Sequence, residues 1–513
     1  MQATSPRQST ISITALSSAT ESLSLEPEAP KVPVLQSLAQ SKRLSGRFIE
    51  EEKNGPLLLH IGSGSGTVSS SSSSGSRSIS KSADVNTESR SEPAQRIGLL
   101  LSRSPVPDAR QMKSDVRLEA LALGGPAMSA AHRHAMLDAI IRSHASFGAK
   151  QIGYMIWGLA DALGGQDMSA SQCSALLEQI LNSYLSTGER QMCMLIQGLG
   201  FSVGGGAMAA GHRDAFMSQI LKFLHVCSAE QMGMVTLGLS RSMGGPGMTR
   251  ENCSLLCAQI MQLRVTCTED QAGMMIWGLG IGLGGKAMTP VLRDALMTQI
   301  MKAWASCDDR LMGLMVLEIG RSLGGPAMTA LNSYALMAHI LNSHATCSLQ
   351  QMGMMVGGLA SALGGRTLSI AGWSVLVSQI LLAASSLRPT QMGMMMWAMG
   401  TVIGGRAMSE ANRNALLTQI LGARAICSAA QLVMMIQGLG LSLGGRDMLP
   451  LNREAMVRQI RSSRTTLGLE LVMKLVHLIS NNRYTMNQQR SGSVKSILHS
   501  DKHQESVGLK TSK

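Results

Sequence analysis

Aromatic side chains make up only 3% of this chain and charged ones only 15%. So few rings weaken any binding mode that stacks bases on aromatic platforms, as single-strand recognition does. Signatures of chemistry are scarce too. No C-x-x-C and no H-E-x-x-H occurs, and acidic residues are scattered without a repeated pair. The histidines show no metal spacing: His132 and His134 flank Arg133, and His339 lies near His344. Cys253 and Cys257 stand one helical turn apart and read as structural. Cys227, Cys267, Cys307, Cys347 and Cys427 share one repeat position. Neighbours there would sit roughly 10 Å apart, beyond disulfide reach. Reduced thiols in a cytosolic setting are therefore expected. No basic region leads into an apolar run near the N-terminus, which speaks against a cleaved signal peptide. The uncharged stretch at residues 367–387 carries Ser369, Ser374, Ser378 and Gln379, so it reads as core and not as a membrane span. These absences point to a non-enzyme with no cofactor and no metal.

What is present is a repeat. Glycine pairs stand at Gly124-Gly125, Gly164-Gly165, Gly204-Gly205 and onward to Gly444-Gly445, always 40 residues apart. An isoleucine keeps the same step from Ile140 through Ile300 to Ile460. A period of this size marks a solenoid, propeller or array. Hydrophobic residues at 45% supply a continuous core, and 39 methionines make it adaptable. Within one unit, Ser228-Ala229-Glu230-Gln231 is a capping box before an apolar run, repeated at Ser348–Gln351 and Ser428–Gln431. The first helix, A, thus starts near Ser228 and stops at Gly244-Gly245, where glycine takes a left-handed cap. Thr249, Thr289, Thr329 and Ser409 are N-cap candidates for a second helix, B. Glycines inside helix A, such as Gly233 and Gly238, each cost about 1 kcal/mol relative to alanine. Their fixed phase predicts close backbone approach between helices. A propeller would need β-branched alternation, which is missing.

The expected fold is all-α: an α-solenoid of about nine 40-residue two-helix repeats over residues 108–482. Ten helix A segments and nine helix B segments are expected there, the terminal units acting as polar caps. Helix A, apolar almost all round, is expected to form the inner layer and helix B the more exposed one, or both to be sandwiched by neighbours. Residues 1–95 are Ser/Thr-rich and residues 483–513 polar and basic; both are expected to be disordered. The start, acid-free until Glu21, reads as an export signal, a transit peptide or a plain tail.

The glycine-rich segment at residues 280–287 mimics a phosphate loop. Ala287 stands where a magnesium-binding hydroxyl belongs, and a helix precedes it, so the match is set aside. The net charge of +13 permits contact with nucleic acid, acidic protein or anionic membrane. Arg133, Arg213, Arg293, Arg413 and Arg453 share one position at the start of helix B. Lys286, Arg366, Arg406 and Arg446 share another, just after the glycine pair. Such rows either follow a phosphate backbone or form a solvated face, with arginine bridging neighbouring helices. Trp157, Trp277 and Trp397 share a position that Gln197 and Gln437 fill elsewhere and Gly357 once. This variable position reads as a recognition site or as size-tolerant packing.

The spacing Gln271…Trp277-Gly278-Leu279, and likewise Gln151…Trp157-Gly158-Leu159, resembles the first helix of two helical-repeat families. One is the octotricopeptide-type repeat, associated with RNA in organelle proteins. The other is the HEAT/armadillo-like tandem repeat of SKWP-type effectors, which plant-pathogenic bacteria deliver by type III secretion. The resemblance implies a secreted effector, monomeric, that binds a host protein in the host cytoplasm or nucleus through an extended surface. The alternative it implies is sequence- or shape-dependent RNA binding along the arginine stripe, in a cytoplasmic or organellar protein.

Overall fold

A computed structural model describes residues 91–102, 107–263 and 266–481. The expectations for residues 1–90 and 482–513 lie outside the described residues. Among the described residues, 21 α-helices follow one another. They are α1 (Ser91–Leu101), α2 (Ala109–Ala122), α3 (Ala130–Arg142), α4 (Ala149–Ala162), α5 (Ala170–Asn182), α6 (Glu189–Ser202), α7 (Ala210–Lys222), α8 (Ala229–Ser242), α9 (Arg250–Gln262), α10 (Glu269–Gly282), α11 (Pro290–Lys302), α12 (Asp309–Ser322), α13 (Ala330–Asn342), α14 (Leu349–Ala362), α15 (Ile370–Leu382), α16 (Pro389–Ile403), α17 (Glu410–Gly422), α18 (Ala429–Ser442), α19 (Pro450–Ser462), α20 (Arg464–Leu467) and α21 (Leu469–Ser480). The even-numbered helices to α18, with α21, are the A helices; the odd ones from α3 to α19 are the B helices. Helix α1 extends the B row upstream, packing on α3, so the helical body begins before residue 108. The first turn of α1 also overlaps the segment to residue 95 that composition marks as disordered.

Each A helix packs on the A helix before and after it, and the B helices form a second row in the same way. This is the α-solenoid arrangement. The local signals act as the sequence predicts. The Ser228 hydroxyl accepts from the Gln231 N–H at 3.2 Å, and the Gln231 carboxamide accepts from the Ser228 N–H at 2.9 Å. Helix α8 then runs to the glycine pair, where Gly244 has φ 116° and Gly245 φ 53°. Both values lie in the left-handed region, where a Cβ is strained. A single 3-10 turn, Gly245–Gly247, leads to the N-cap Thr249, whose hydroxyl accepts from the Asn252 N–H at 3.2 Å. Thr289, Thr329 and Ser409 cap their B helices in the same way.

The core runs continuously through the stack. Every member of the isoleucine row, from Ile140 to Ile460, is at most 2% exposed. Burying one such side chain contributes about 1.5–3 kcal/mol. Close packing of the A row comes from glycine. A Cβ on Gly278 would run into the carbonyl oxygen of Gly233 on the preceding A helix. The same pairing joins Gly198 to Gly153, Gly358 to Gly313 and Gly438 to Gly393. These positions hold larger residues at Cys193, Glu318, Ala398 and Val433 within the stack and at Leu118 on α2 and Met473 on α21 at its ends, where both are 61% exposed. The end units therefore mix polar residues such as Lys474 and His477 with exposed apolar ones.

Candidate functional site

The two basic rows lie in different places. Arg293 and Arg413 are buried in the B row, 5% and 3% exposed, while Arg133, Arg213 and Arg453 are half-buried. The guanidinium groups of Arg213, Arg293 and Arg413 fasten one repeat to the next. Arg293 Nη1 donates to Asn332 Oδ1 at 2.8 Å and Arg213 Nη1 to Asn252 Oδ1 at 3.4 Å. Arg413 makes the same bond to Asn452. Where tryptophan replaces arginine, Trp373 Nε1 donates to Asn412 Oδ1 at 3.4 Å. Arg453 instead donates to the Met448 carbonyl at 3.3 Å. At Arg213, Arg293 and Arg413 the row is thus an inter-repeat tie inside the B layer, and Arg293 and Arg413 have no open path to a phosphate. Arg133 lines a groove between α3 and α5 with His134, Asp138, Arg142 and Glu178.

Lys286, Arg366, Arg406 and Arg446 are all exposed. Each sits on the 3-10 turn that follows an A helix. Arg406 reaches to the next repeat, where its Nη2 meets Asp447 Oδ2 at 2.9 Å, an exposed ion pair. These four residues form a basic edge where the A row turns into the B row.

The variable position lies on the outer face of the A row, away from the B helices. Trp157, Gln197, Trp277 and Trp397 are half-buried there, and Gln437 is buried. The three tryptophans differ. Lys113 Nζ lies 3.5 Å from the centre of the Trp157 ring and 2.9 Å from Asp161 Oδ2, and Tyr154 and Phe201 flank the same ring at 5.6 and 5.2 Å. Trp277 instead packs with Ile281 on Cys193, Met234 and Leu237, a small apolar cluster apart from the main core. Helix A is therefore not covered on all sides. Positions three before and four after the variable one share its face: Met274 and Ile281 beside Trp277, Met394 and Thr401 beside Trp397. A helix apolar all round hides which strip stays open, so sequence alone singled out the tryptophans but not the methionines around them.

The outer face changes along the stack. Helices α8 and α12 carry Arg241 and Arg321 there, Arg321 bonded to the buried Glu318 at 2.8 Å. Helices α14, α16 and α18 contain no charged residue at all. At the opposite, N-terminal ends of the A helices acids gather. Burial and the nearby Glu230 carboxylate raise the Glu189 pKa. Burial likewise raises that of Glu269, with Asp308 and Asp270 adding to the rise and Arg310, 2.7 Å away, opposing it.

Three serines on the A helices stand in a motif associated with nucleophilic catalysis. Residues 200–204, 320–324 and 440–444 spell Gly-x-Ser-x-Gly, the order of a nucleophile elbow. Here a helix precedes the serine where an elbow needs a strand, and the Ser322 and Ser442 hydroxyls are buried, donating to Ile319 and Leu439 carbonyls at 2.8 Å. Among the described residues, no group of three or more His, Cys, Asp or Glu is placed to hold a metal ion. Among them too, no helix is long and apolar enough to cross a membrane. No protein-family model matches the chain, and no curated protein is similar to it.

Proposed function

We propose that this protein is a non-enzymatic binding scaffold that engages another protein along the outer face of its A helices. One observation carries the reading. Across a stack whose core hardly varies, the residues at one outer position change from Trp157 to Gln197, Leu237, Trp277, Leu317, Gly357, Trp397 and Gln437. Methionines flank them, at Met194, Met274, Met394 and Met434, half-buried and free to repack. Leu237, Leu317, Gly357 and Gln437 are buried, so the half-open apolar surface lies around Trp157, Trp277 and Trp397, and exposed apolar patches mark interaction sites. The Ser/Thr-rich, acid-poor N-terminal stretch supports delivery of the scaffold as a type III effector into a host cell, where the partner is a host protein.

Affinity capture from plant extract tests the binding claim. The full chain is expected to retain a discrete, nuclease-resistant protein, and the Met394→Glu/Trp397→Glu variant to lose it. Recovery of RNA alone, or retention unaffected by that variant, would count against it. Delivery is tested by fusing residues 1–95 to a reporter; failure to leave the cell through a type III apparatus removes that part.

A further inference from the structure

Helices α14, α16 and α18 are neighbours in the A row and carry no charged residue. On α16 and α18 the outer face is half open, at Met394, Trp397, Thr401, Met434 and Leu441, while on α14 every residue from Gln351 to Ala360 is buried and closes the floor at that end. The four A helices before them each contain at least two charged residues. On the outer strip itself α8 and α12 carry Arg241 and Arg321 while α6 and α10 carry no charge, so α14, α16 and α18 are the longest charge-free run of consecutive A helices. Its border is not neutral. Arg366, Arg406 and Arg446 follow the C-terminal ends of these same helices and are exposed. Asp447 on that edge is already held by Arg406, and Glu410 lies 3.3 Å from the buried Arg413. At the other ends of the floor, Arg388 precedes α16 and Arg424 lies in the turn before α18.

We propose that this floor is the docking site for an amphipathic α-helix of a partner protein, bordered by acidic side chains; the inference rests on the binding role assigned above to the A face. The repeat fixes the pattern that such a helix needs. Adjacent A helices are spaced by roughly 10 Å, so the three border arginines recur at about that step. An α-helix advances 1.5 Å per residue, so one step corresponds to about seven residues. A helix crossing α14, α16 and α18 therefore presents an apolar stripe to the methionines, with an acid every seventh residue or so facing the arginines. About 13 residues span the roughly 20 Å between the outer helices. The Arg406–Asp447 pair is exposed and weak enough to be exchanged for a partner carboxylate. A nucleic acid fits less well, because Trp397 is the sole ring in this floor and stacking platforms are what single strands use.

Fluorescence anisotropy on the full chain decides it, with labelled helical peptides of about 21 residues. One carries a Leu/Ala stripe bordered by Glu at seven-residue spacing; its counterpart carries Lys at the same places. The Glu peptide is expected to bind, to weaken about tenfold against the triple variant R366E/R406E/R446E, and the Lys peptide to bind that variant instead. A thermal melt matching the wild type verifies that the exposed substitutions leave the fold intact. Equal binding of the two peptides, binding of neither, or displacement of the Glu peptide by a uridine oligonucleotide overturns the proposal. If capture of a host protein through Trp397 survives any of those results, only this charge-bordered mode falls; if that capture fails too, the binding role of the A face falls with it.

Discussion

The Gln351 carboxamide holds two repeats together: its Nε2 donates to the Cys307 carbonyl oxygen at 2.8 Å, while its Oε1 accepts from the Ser348 N–H at 2.9 Å. The same amide also donates to the Trp304 carbonyl at 2.7 Å. Gln271 and Gln431 repeat the arrangement with Leu224 and Cys227, and with Ala384 and Leu387. One side chain thus caps its own helix and satisfies carbonyls left open by the turn before it. Removing it by Gln351→Ala strands buried acceptors, at about 1–3 kcal/mol for an unsatisfied group. Denaturant unfolding is expected to show a loss of that order; Gln351→Glu, which keeps the cap acceptor but cannot donate, is expected to lose nearly as much.

The glycines of the A row separate helix propensity from packing. Alanine favours a helix over glycine by about 1 kcal/mol. At Gly278 the added Cβ meets the Gly233 carbonyl oxygen, and overpacking a rigid backbone contact costs about 1–3 kcal/mol. Gly278→Ala is expected to destabilise. Gly273→Ala, whose Cβ would lie 3.5 Å from Glu318 Cγ in ordinary contact, is expected to be neutral or stabilising. Equal melting shifts for the two would refute close approach as the reason for the glycine ladder.

The arginine ties make a prediction opposite to that for a phosphate stripe. Arg293→Ala leaves Asn332 without its guanidinium partner, and hydrogen bonds to charged groups contribute about 1.5–3 kcal/mol. Unfolding experiments are expected to show a loss of that size, with retention on a nucleic-acid column unchanged. Lys286→Ala, at an exposed edge, is expected to leave stability within about 0.5 kcal/mol of the wild type.

Acid affects one tie directly. Burial pushes the Asp294 carboxyl up, but hydrogen bonds from His339 and Arg293 outweigh it and hold the pKa below the usual carboxylate value. A depressed carboxyl contributes stability that is present above its unfolded pKa and lost as pH falls through the folded one. Asp294→Asn is therefore expected to be less stable than the wild type at neutral pH. The gap should begin to close as pH drops below about 4, where the carboxyl of the unfolded chain protonates first, and vanish once pH has fallen through the lower folded value. Melting curves across that range check the sign.

The thiols are expected to be inert. Burial raises the Cys173 and Cys253 pKa to about 12 and places that of Cys257 well above the ordinary thiol value. The thiolate is the reactive form, so alkylation of these three at pH 8 should be slow in the native protein and rapid after unfolding. Mass spectrometry of labelled peptides reads this directly.

Much of the fold was legible because the repeat fixes phase, and phase fixes caps. Ser228, Gln231 and the Gly244-Gly245 pair name both ends of α8 without any tertiary information. The path of the arginine row was not legible. Equal phase puts residues in one row but does not say whether the row faces water or the neighbouring helix. The signal lay in the pairs themselves: Arg213 with Asn252, Arg293 with Asn332 and Arg413 with Asn452 stand 39 residues apart. An arginine matched each time by an amide in the next unit marks a tie, not an open charge. The open strip on the A helices was hidden for the converse reason. Its methionines look like core residues, and only the position of the B row shows that, among the described residues, they are left half-buried.

The most direct measurement is oxidative footprinting of methionine in the full chain, with and without the captured partner. Bound partner is expected to protect Met394 and Met434 on the outer A face while leaving the exposed Met473 at the end of the stack unchanged. Unaltered oxidation of Met394 and Met434, with protection elsewhere, would contradict the assignment of this face as the binding surface.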